Sequence, residues 1–144
     1  MVPEADYSHR SAVQKLGVKP QERLEVSGDV GAALRRELKE AAGRGLVRSG
    51  DLDGAVVEVG SVGEAEEALD RYRSRLRDTG YLWLVTRKRG HESYVNQMLL
   101  VPPAKRRGLI DNKTCSVDEQ RSGIRFVVPR AQRAGASAPP PDDR

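Results

Sequence analysis

The sequence predicts a single three-layer α/β domain whose mostly parallel sheet ends in an antiparallel hairpin. Segments with the apolar spacing of strands alternate along the chain with segments that have the spacing of helices. The last two strand-like segments are joined by a short polar connection, which is typical of a hairpin. The chain has 144 residues, a length that builds one hydrophobic core. We therefore expect one sheet with helices on both faces.

Six elements alternate in type over the first 85 residues. They are a helix at 8–16, a strand at 23–26, a helix at 32–42, a strand at 54–59, a helix with the apolar stripe Ala65, Leu69, Tyr72 and Leu76, and a strand at 81–85. Ser8 is suited to cap the first helix, and Ser61 with Glu64 three residues later makes a capping box for the third. Gly80 is expected to end the third helix.

The sequence from residue 94 to 128 predicts a broken helix followed by the hairpin. An apolar spacing followed by two prolines predicts a helix that the prolines interrupt; the residues concerned are Tyr94, Val95, Met98, Leu99, Pro102 and Pro103. A short helical turn is expected at 104–107. Strands at 114–118 and 124–128, with Gly123 between them, form the predicted hairpin.

These elements place the folded domain at residues 7–130. Residues 1–6 are expected to be flexible, and residues 131–144 lack core-forming side chains, which predicts a disordered tail. The sequence contains neither an apolar run long enough to span a bilayer nor the apolar region of a secretory signal. A cytoplasmic protein without a membrane partner is therefore expected, and the sequence does not indicate its oligomeric state.

Basic residues are concentrated in the C-terminal part of the predicted domain. Residues 1–80 carry 13 basic and 15 acidic side chains, whereas residues 81–130 carry 10 basic and 4 acidic ones. This asymmetry favours an anionic partner: the phosphate backbone of a nucleic acid, an acidic protein or a phosphorylated metabolite. Base recognition is not supported, because the chain has 1 Trp, 4 Tyr and 1 Phe, most of them in predicted core positions.

Two motifs that often carry chemistry are incomplete. Gly28 and Gly31 lie between a strand and a helix, where dinucleotide and methyl-donor folds hold their cofactors, but Val30 occupies the middle glycine position of the G-x-G-x-x-G fingerprint. Its branched side chain would block a pyrophosphate, so no cofactor is predicted. His91 begins a stretch like a zinc-protease motif, but Val95 stands where the second histidine is required, so no metal site is predicted.

The single cysteine, Cys115, excludes an internal disulfide. It could act as a nucleophile with His91 as base and Asp118 as the orienting carboxylate. The favoured interpretation is a buried strand residue, because Cys115 and Val117 share one face at a period of two.

Two basic clusters at predicted chain reversals are the best site candidates. They are Arg87, Lys88 and Arg89, and Lys105, Arg106 and Arg107. The first cluster follows the strand at 81–85, and parallel α/β sheets bind ligands at the carboxyl ends of their strands. The alternative is that these residues are solvated loop charges.

Four segments together resemble one protein family. They are residues 15–20 (KLGVKP), 80–84 (GYLWL), 112–119 (NKTCSVDE) and 122–127 (SGIRFV). The chain from about residue 7 to 130 resembles domain-of-unknown-function family 3052, whose pattern begins K-L-G-x-K-P-G, contains a G-x-L-W strand leading to a lysine, and ends K-x-C-x-x-D-E-x-W-S-x-L-R-F. Lys88 lies where that lysine falls. Gln21 replaces the glycine after Lys-Pro, and Arg121 replaces the tryptophan.

The resemblance implies a small actinobacterial protein with a Rossmann-like fold that corresponds to part of a methyltransferase domain. It implies no catalytic residues. Polar residues of the matched ending form a candidate pocket: Lys113, Asp118, Glu119, Arg121, Ser122 and Arg125.

Two hypotheses follow for the function. The first is a non-enzymatic binding or regulatory domain that uses basic residues toward an anionic partner. The second is a small enzyme acting on a phosphorylated or carboxylated metabolite, with Lys88 and Arg87 holding the anion and Asp118 or Glu119 as the acid-base group.

Overall fold

The computed structural model describes residues 12–129. Its main elements, in chain order, are α1 (Ala12–Leu16), β1 (Leu24–Ser27), α2 (Ala32–Ala42), β2 (Leu52–Glu58), α3 (Val62–Arg73), β3 (Leu76–Arg87), α4 (Val101–Arg106), β4 (Ile110–Ser116) and β5 (Arg121–Val127). Short 3-10 helices at Gly43–Gly45 and Gln97–Leu100 precede β2 and α4. The predicted flexible residues 1–6, the cap at Ser8 and the tail at 131–144 lie outside the described residues. None of the helices within 12–129 is long and apolar enough to cross a membrane.

The five strands form one sheet in the order β1-β2-β3-β5-β4. The first three strands are parallel neighbours, whereas β5 pairs antiparallel with both β3 and β4. Four strands of the described region therefore point the same way and β5 opposes them. The predicted α/β class, with a mostly parallel sheet and a closing antiparallel hairpin, is confirmed. The last of the described strands, β5, lies inside the sheet, between β3 and β4.

The sheet separates two hydrophobic cores. One core lies beneath α3 and α4 and includes Leu82 and Leu84, whereas the other lies beneath α1 and α2 and includes Trp83. Trp83 is fully buried, and its indole N–H donates a hydrogen bond to the carbonyl of Leu16 at 3.0 Å. Gly123 lies directly against this ring, because a Cβ there would be 2.9 Å from Cε3. Trp83 thus ties the central strand to both α1 and β5.

The third helix ends earlier than the apolar stripe predicted. Helix α3 stops at Arg73, and Leu76 begins β3 instead of completing the helical stripe. Gly80 lies inside this strand and does not end the helix. Between the pairs Leu52–Leu76 and Gly54–Tyr81, β2 advances two residues while β3 advances five, so β3 is irregular there. Leu76 follows Tyr72 by four positions and therefore fits the helical period. Its pairing with Leu52 shows that it belongs to β3.

The prediction of a proline-interrupted helix was wrong. Residues 97–100 form a 3-10 helix, and Pro102 and Pro103 lie in the first turn of α4. Proline suits this position because the first amide groups of a helix have no intrahelical acceptor. The prolines therefore begin the helix.

The predicted strand at 114–118 is displaced. Strand β4 begins at Ile110 and ends at Ser116, and the backbone N–H groups of Val117 and Asp118 both donate to the carbonyl of Arg121 in the hairpin turn. As an edge strand, β4 is exposed over most of its length, so its sequence lacks the apolar alternation on which strand prediction depends.

A buried ionic cluster lies between β1 and α3. Glu25 is 7% exposed, its Oε2 accepts a 2.7 Å hydrogen bond from the hydroxyl of Tyr72, and its Oε1 forms a 2.9 Å ion pair with Arg75 Nη1. Burial, followed by the neighbouring Glu25 carboxylate, raises the pKa of Tyr72. The phenol is protonated at neutral pH and is the donor in its hydrogen bond to Glu25.

A tight turn connects α1 to β1. The backbone N–H of Glu22 donates to the carbonyl of Lys19 at 3.3 Å, which places Pro20 and Gln21 at the two central positions. Gln21 has a φ of 66°. Proline followed by a residue with positive φ is the pattern of a type II turn, in which glycine is preferred at the second central position. Glycine would therefore suit this backbone position better than glutamine does.

Candidate anion-binding site

Most predicted site residues meet at one edge of the sheet. The carboxyl ends of β1, β2 and β3 lie there because these strands are parallel, and the turn between β4 and β5 reaches the same edge. The pairing of Arg87 with Arg121 and of Thr86 with Ser122 fixes this register. The predicted site residues at this edge are Arg87, Lys88, Arg89, Asp118, Glu119, Arg121 and Ser122.

Arg87 and Arg121 belong to an ion-pair network around Asp29, which follows β1. Asp29 Oδ2 lies 3.0 Å from Arg87 Nη2 and 3.1 Å from Arg121 Nη2. Arg121 also pairs with Asp118 at 2.9 Å. The backbone N–H of Gly31, followed by the charge of Arg121, lowers the pKa of Asp29 below its ordinary value. Two guanidinium groups and two carboxylates thus neutralise each other.

Lys88 and Arg89 have polar partners that carry no charge. The Lys88 ammonium donates to the hydroxyl of Ser116 at 2.7 Å. The guanidinium of Arg89 lies 5.0 Å from the centre of the Tyr94 ring and donates to the Tyr94 hydroxyl at 3.2 Å. These contacts position both cations without neutralising them.

A cleft of about 260 Å³ opens beside these two cations. Its polar lining includes Tyr94, the amide of Gln97 and the hydroxyl of Ser122. Gln97 in turn donates a 3.4 Å hydrogen bond to Thr86, which is 1% exposed. The cleft therefore combines positive charge with neutral hydrogen-bonding groups, a composition suited to an anionic group.

The second basic cluster lies at the opposite edge of the sheet. Lys105 and Arg106 lie in the last turn of α4, which precedes the amino-terminal end of β4. Arg106 pairs with Glu66 at 3.1 Å, and Arg107 pairs with Asp70 at 2.6 Å. The hydrogen bond between Arg107 and Asp70 raises the pKa of the guanidinium and lowers that of the carboxyl group. This cluster connects α4 to α3 and does not join the first cluster in one site.

The candidate pocket residues are also divided by the sheet. Lys113 donates to the carbonyl of Lys15 on α1 at 3.1 Å, and the guanidinium of Arg125 lies 5.0 Å from the centre of the Tyr81 ring on the same face. Asp118 and Glu119 lie in the hairpin turn, outside the lining of the cleft. Of the six predicted pocket residues, Ser122 alone lines the cleft beside Lys88.

The turn after β1 is covered by side chains of the chain itself. Gly28 has a φ of 83°, and a Cβ there would lie 2.9 Å from that of Glu58. Gly31 has a φ of 98°, and a Cβ there would lie 3.1 Å from Asp118 Oδ2. Arg121 Nε donates to the Asp29 carbonyl at 3.2 Å. Internal packing therefore accounts for both glycines.

Cys115 is half-buried on β4 and packs beside Val117 in the core beneath α1 and α2. Burial raises the pKa of its thiol. Across residues 12–129, no three His, Cys, Asp or Glu side chains are grouped so that they could hold a metal ion.

A family model described as "Protein of unknown function (DUF3052)" matches residues 13–130. The chain belongs to the DUF3052 family. No curated protein matches it at a significant level.

Solved structures similar to this DUF3052 domain include two methyltransferases and a fibrillarin. A SAM-dependent methyltransferase from Aquifex aeolicus has a TM-score of 0.62 at 10% identity, with 81% of this chain and 87% of that chain covered. The N-methyltransferase NodS from Bradyrhizobium japonicum has a TM-score of 0.56 at 12% identity, with coverage of 89% and 99%. Aeropyrum pernix fibrillarin, solved with S-adenosyl-L-methionine, has a TM-score of 0.53 at 16% identity, with coverage of 81% and 73%. The domain therefore has a methyltransferase-like Rossmann fold.

The turn after β1 does not fit the cofactor that this fold suggests. Glu58, Asp118 and Arg121 cover the two glycines that would have to approach S-adenosyl-L-methionine there. Ligands of α/β sheets bind where the strand order reverses, but the parallel strands here follow one another in a single direction from the edge strand β1.

Sequence reasoning missed four residues of the site. They are Asp29, between the two glycines that follow β1, together with Tyr94, Gln97 and Met98, of which the sequence places Tyr94 and Met98 on the apolar face of a helix. A carboxylate between two glycines at the end of a predicted parallel strand was the available signal for Asp29. The positions of the other three depend on a 3-10 helix that the proline pattern did not predict.

Proposed function

We propose that this DUF3052 domain is a non-enzymatic binding or regulatory domain that recognises an anionic partner through Lys88 and Arg89. The observation that carries the proposal is the cleft at the carboxyl end of β3, where two cations with uncharged partners border neutral hydrogen-bond donors. Cations held in place in this way attract an anionic group without first breaking an ion pair.

The geometry gives less support to an enzyme. Asp118 is paired with Arg121, and Glu119 is exposed in the hairpin turn, so neither carboxylate borders the cleft with Lys88. An acid-base group must come within hydrogen-bond reach of the bound substrate. Because neither carboxylate of the enzyme hypothesis lines the cleft that Lys88 lines, the cleft favours the binding hypothesis.

The test compares two variants with equal loss of positive charge. Lys88→Ser with Arg89→Ser removes the cations at the cleft, and Arg36→Ser with Lys39→Ser removes two exposed cations from α2 on the other face of the sheet. The probes are a fluorescein-labelled oligoglutamate and a labelled oligodeoxythymidylate, and fluorescence anisotropy is measured at low and high salt. We expect the cleft variant to lose about tenfold in affinity for the probe that binds, and the α2 variant to stay within about twofold.

Salt dependence identifies the class of anion. If the bound probe is a nucleic acid, the slope of log affinity against log salt should become less steep by roughly 0.7 to 0.9 for each phosphate contact that is removed. If the cleft variant binds each probe as tightly as the wild type does, the proposal is refuted, because Lys88 and Arg89 would then be solvated charges.

A further inference from the structure

We propose that the partner at this cleft is an acidic protein segment with an apolar anchor, whose carboxylates contact Lys88 and Arg89 while its apolar side chain covers Met98 and Leu99. This inference rests on the proposed function and names the class of partner. It is carried by the exposed apolar pair at the rim of the cleft, by the charge beside it and by the distribution of aromatic and basic residues over the described part of the chain.

The apolar pair is held outward by its own backbone. Met98 is 64% exposed and Leu99 is 56% exposed, and Met98 lines the cleft. The neighbouring Val95 and Leu100 are buried in the core beneath α3 and α4, so the segment is anchored from both ends. Met98 lines the cleft and Leu99 follows it on the same anchored segment, so an apolar partner group that enters the cleft can remove exposed apolar surface from water.

The side chain of Asn96 strengthens this arrangement. Its Oδ1 accepts a 3.0 Å hydrogen bond from the backbone N–H of Met98, which caps the 3-10 helix that carries the apolar pair. Methionine is also an adaptable contact residue, because its unbranched thioether chain adjusts to differently shaped apolar groups. The surface is thus fixed in its backbone and adaptable in its side chain.

The charge beside the apolar pair selects an acidic segment. Lys88 and Arg89 line the same cleft as Met98, and their polar partners are uncharged. A partner that presents carboxylates next to an apolar side chain would match both features. A free phosphorylated metabolite would match the charge and leave the apolar pair exposed.

A nucleic acid matches this surface less well. Most aromatic side chains between residues 12 and 129 are buried; these are Tyr72, Tyr81, Trp83 and Phe126. The remaining ring of this region, that of Tyr94, is in contact with Arg89, so the described residues offer no stacking platform for bases. The second basic cluster lies at the other edge of the sheet, with Arg106 and Arg107 in ion pairs, so the two basic clusters do not form one track for phosphates.

The experiment separates the apolar contact from the charge. Two fluorescein-labelled hexapeptides carry the same four carboxylates around a central Leu-Phe or a central Ser-Ser, and a labelled oligodeoxythymidylate of equal charge is the third probe. The full chain is compared with Met98→Ser/Leu99→Ser, with Lys88→Ser/Arg89→Ser, and with Ile110→Ser. Ile110 is 37% exposed at the start of β4, at the opposite edge, and is the matched control for loss of an exposed apolar side chain.

We expect the wild type to bind the Leu-Phe peptide about tenfold more tightly than the Ser-Ser peptide or the oligonucleotide. Met98→Ser/Leu99→Ser should abolish the preference for Leu-Phe, and Ile110→Ser should retain it. Wild-type binding of the Ser-Ser peptide or the oligonucleotide at the level of the Leu-Phe peptide would overturn this inference but leave the proposed function standing. Unchanged binding of every probe by Lys88→Ser/Arg89→Ser would overturn both.

A second copy of the chain is the competing occupant. Sedimentation equilibrium of the wild type over a range of concentrations distinguishes this case. A dimer that Met98→Ser/Leu99→Ser dissociates would overturn the inference, because the apolar pair would then bind another copy of this chain. A monomer over the whole range supports an external acidic segment.

Discussion

Replacement of Trp83 by alanine tests the position of β3 at the centre of the sheet. Trp83 is fully buried, lies against Gly123 and donates a hydrogen bond to Leu16. A buried aromatic side chain removes about 150–250 Å² from water, which corresponds to about 4–6 kcal/mol at roughly 25 cal/mol per Å². Alanine retains part of this, and truncations of buried tryptophan cost about 3–5 kcal/mol. We expect Trp83→Ala to lower the free energy of unfolding by that amount.

Urea unfolding followed by far-ultraviolet circular dichroism measures this change, because the substitution removes the chain's single tryptophan and its fluorescence. With a denaturant slope of about 1.5 kcal/mol per M, the midpoint should fall by roughly 2–3 M. Trp83→Phe keeps most of the ring and loses the N–H donor, so it should cost about 1–2 kcal/mol. A stability of Trp83→Ala within about 0.5 kcal/mol of the wild type would refute the packing described for β3.

Three further changes test local features. Gln21→Gly should raise the melting temperature by about 2–4 °C, because glycine adopts the positive φ of the turn without steric cost and the net gain is about 0.5–1 kcal/mol. Tyr72→Phe should lower the free energy of unfolding by about 1–3 kcal/mol in urea titrations, because the buried carboxylate of Glu25 loses a hydrogen bond. Asp29→Asn should lower the melting temperature at pH 7, because the amide cannot replace the charge that faces Arg121. The pKa of Asp29 in the folded protein lies below its ordinary value of 3.8. The difference in melting temperature between variant and wild type should therefore be complete above pH 3.8 and should disappear as the pH falls through the pKa of the folded protein.

Each of these changes has a control. Gln21→Ala should show no gain, since alanine has the same difficulty with positive φ; an equal gain would contradict the turn argument. Tyr94→Phe removes the hydroxyl of a partly exposed residue and should change the free energy of unfolding by no more than about 0.5 kcal/mol. An equal loss of stability in Tyr72→Phe and Tyr94→Phe would show that the buried carboxylate of Glu25 is not the cause of the loss. A pH-independent difference for Asp29→Asn would exclude the carboxylate charge as the stabilising feature.

The sequence predicted those features that residues close together in the chain determine, such as the length of a helix or its capping residue. The predicted helix 32–42 has the observed bounds of α2, and Ser61 accepts the backbone N–H of Glu64 at 3.0 Å, as the predicted cap requires. The glutamate side chain departs from the predicted box, because it accepts from the N–H of Gly60. The end of α3 was misplaced because Leu76 satisfies a helical period and a strand equally well. Only its pairing with Leu52 decides between the two.

The site was less predictable because it depends on contacts between distant parts of the sequence. The position of Lys88 and Arg89 after a strand was predictable from the sequence alone. The neutralisation of Arg87 was not, since its partner Asp29 lies 58 residues away and reaches it through the sheet. The separation of the two basic clusters likewise requires the knowledge that α4 precedes the amino-terminal end of β4.

The interior position of β5 has a consequence for synthesis of the protein. About 40 residues separate the end of β3 from the end of β5, which corresponds to roughly 2–8 s at about 5–20 residues per second on the ribosome. Over that interval the backbone groups of β3 that will pair with β5 are open, and the side chains of Leu82 and Leu84 on the adjoining sheet face lack part of their core. Unpaired strand edges associate with other chains. We therefore expect truncation before Arg121 to leave this edge of β3 open and to favour association of the truncated chain with other chains.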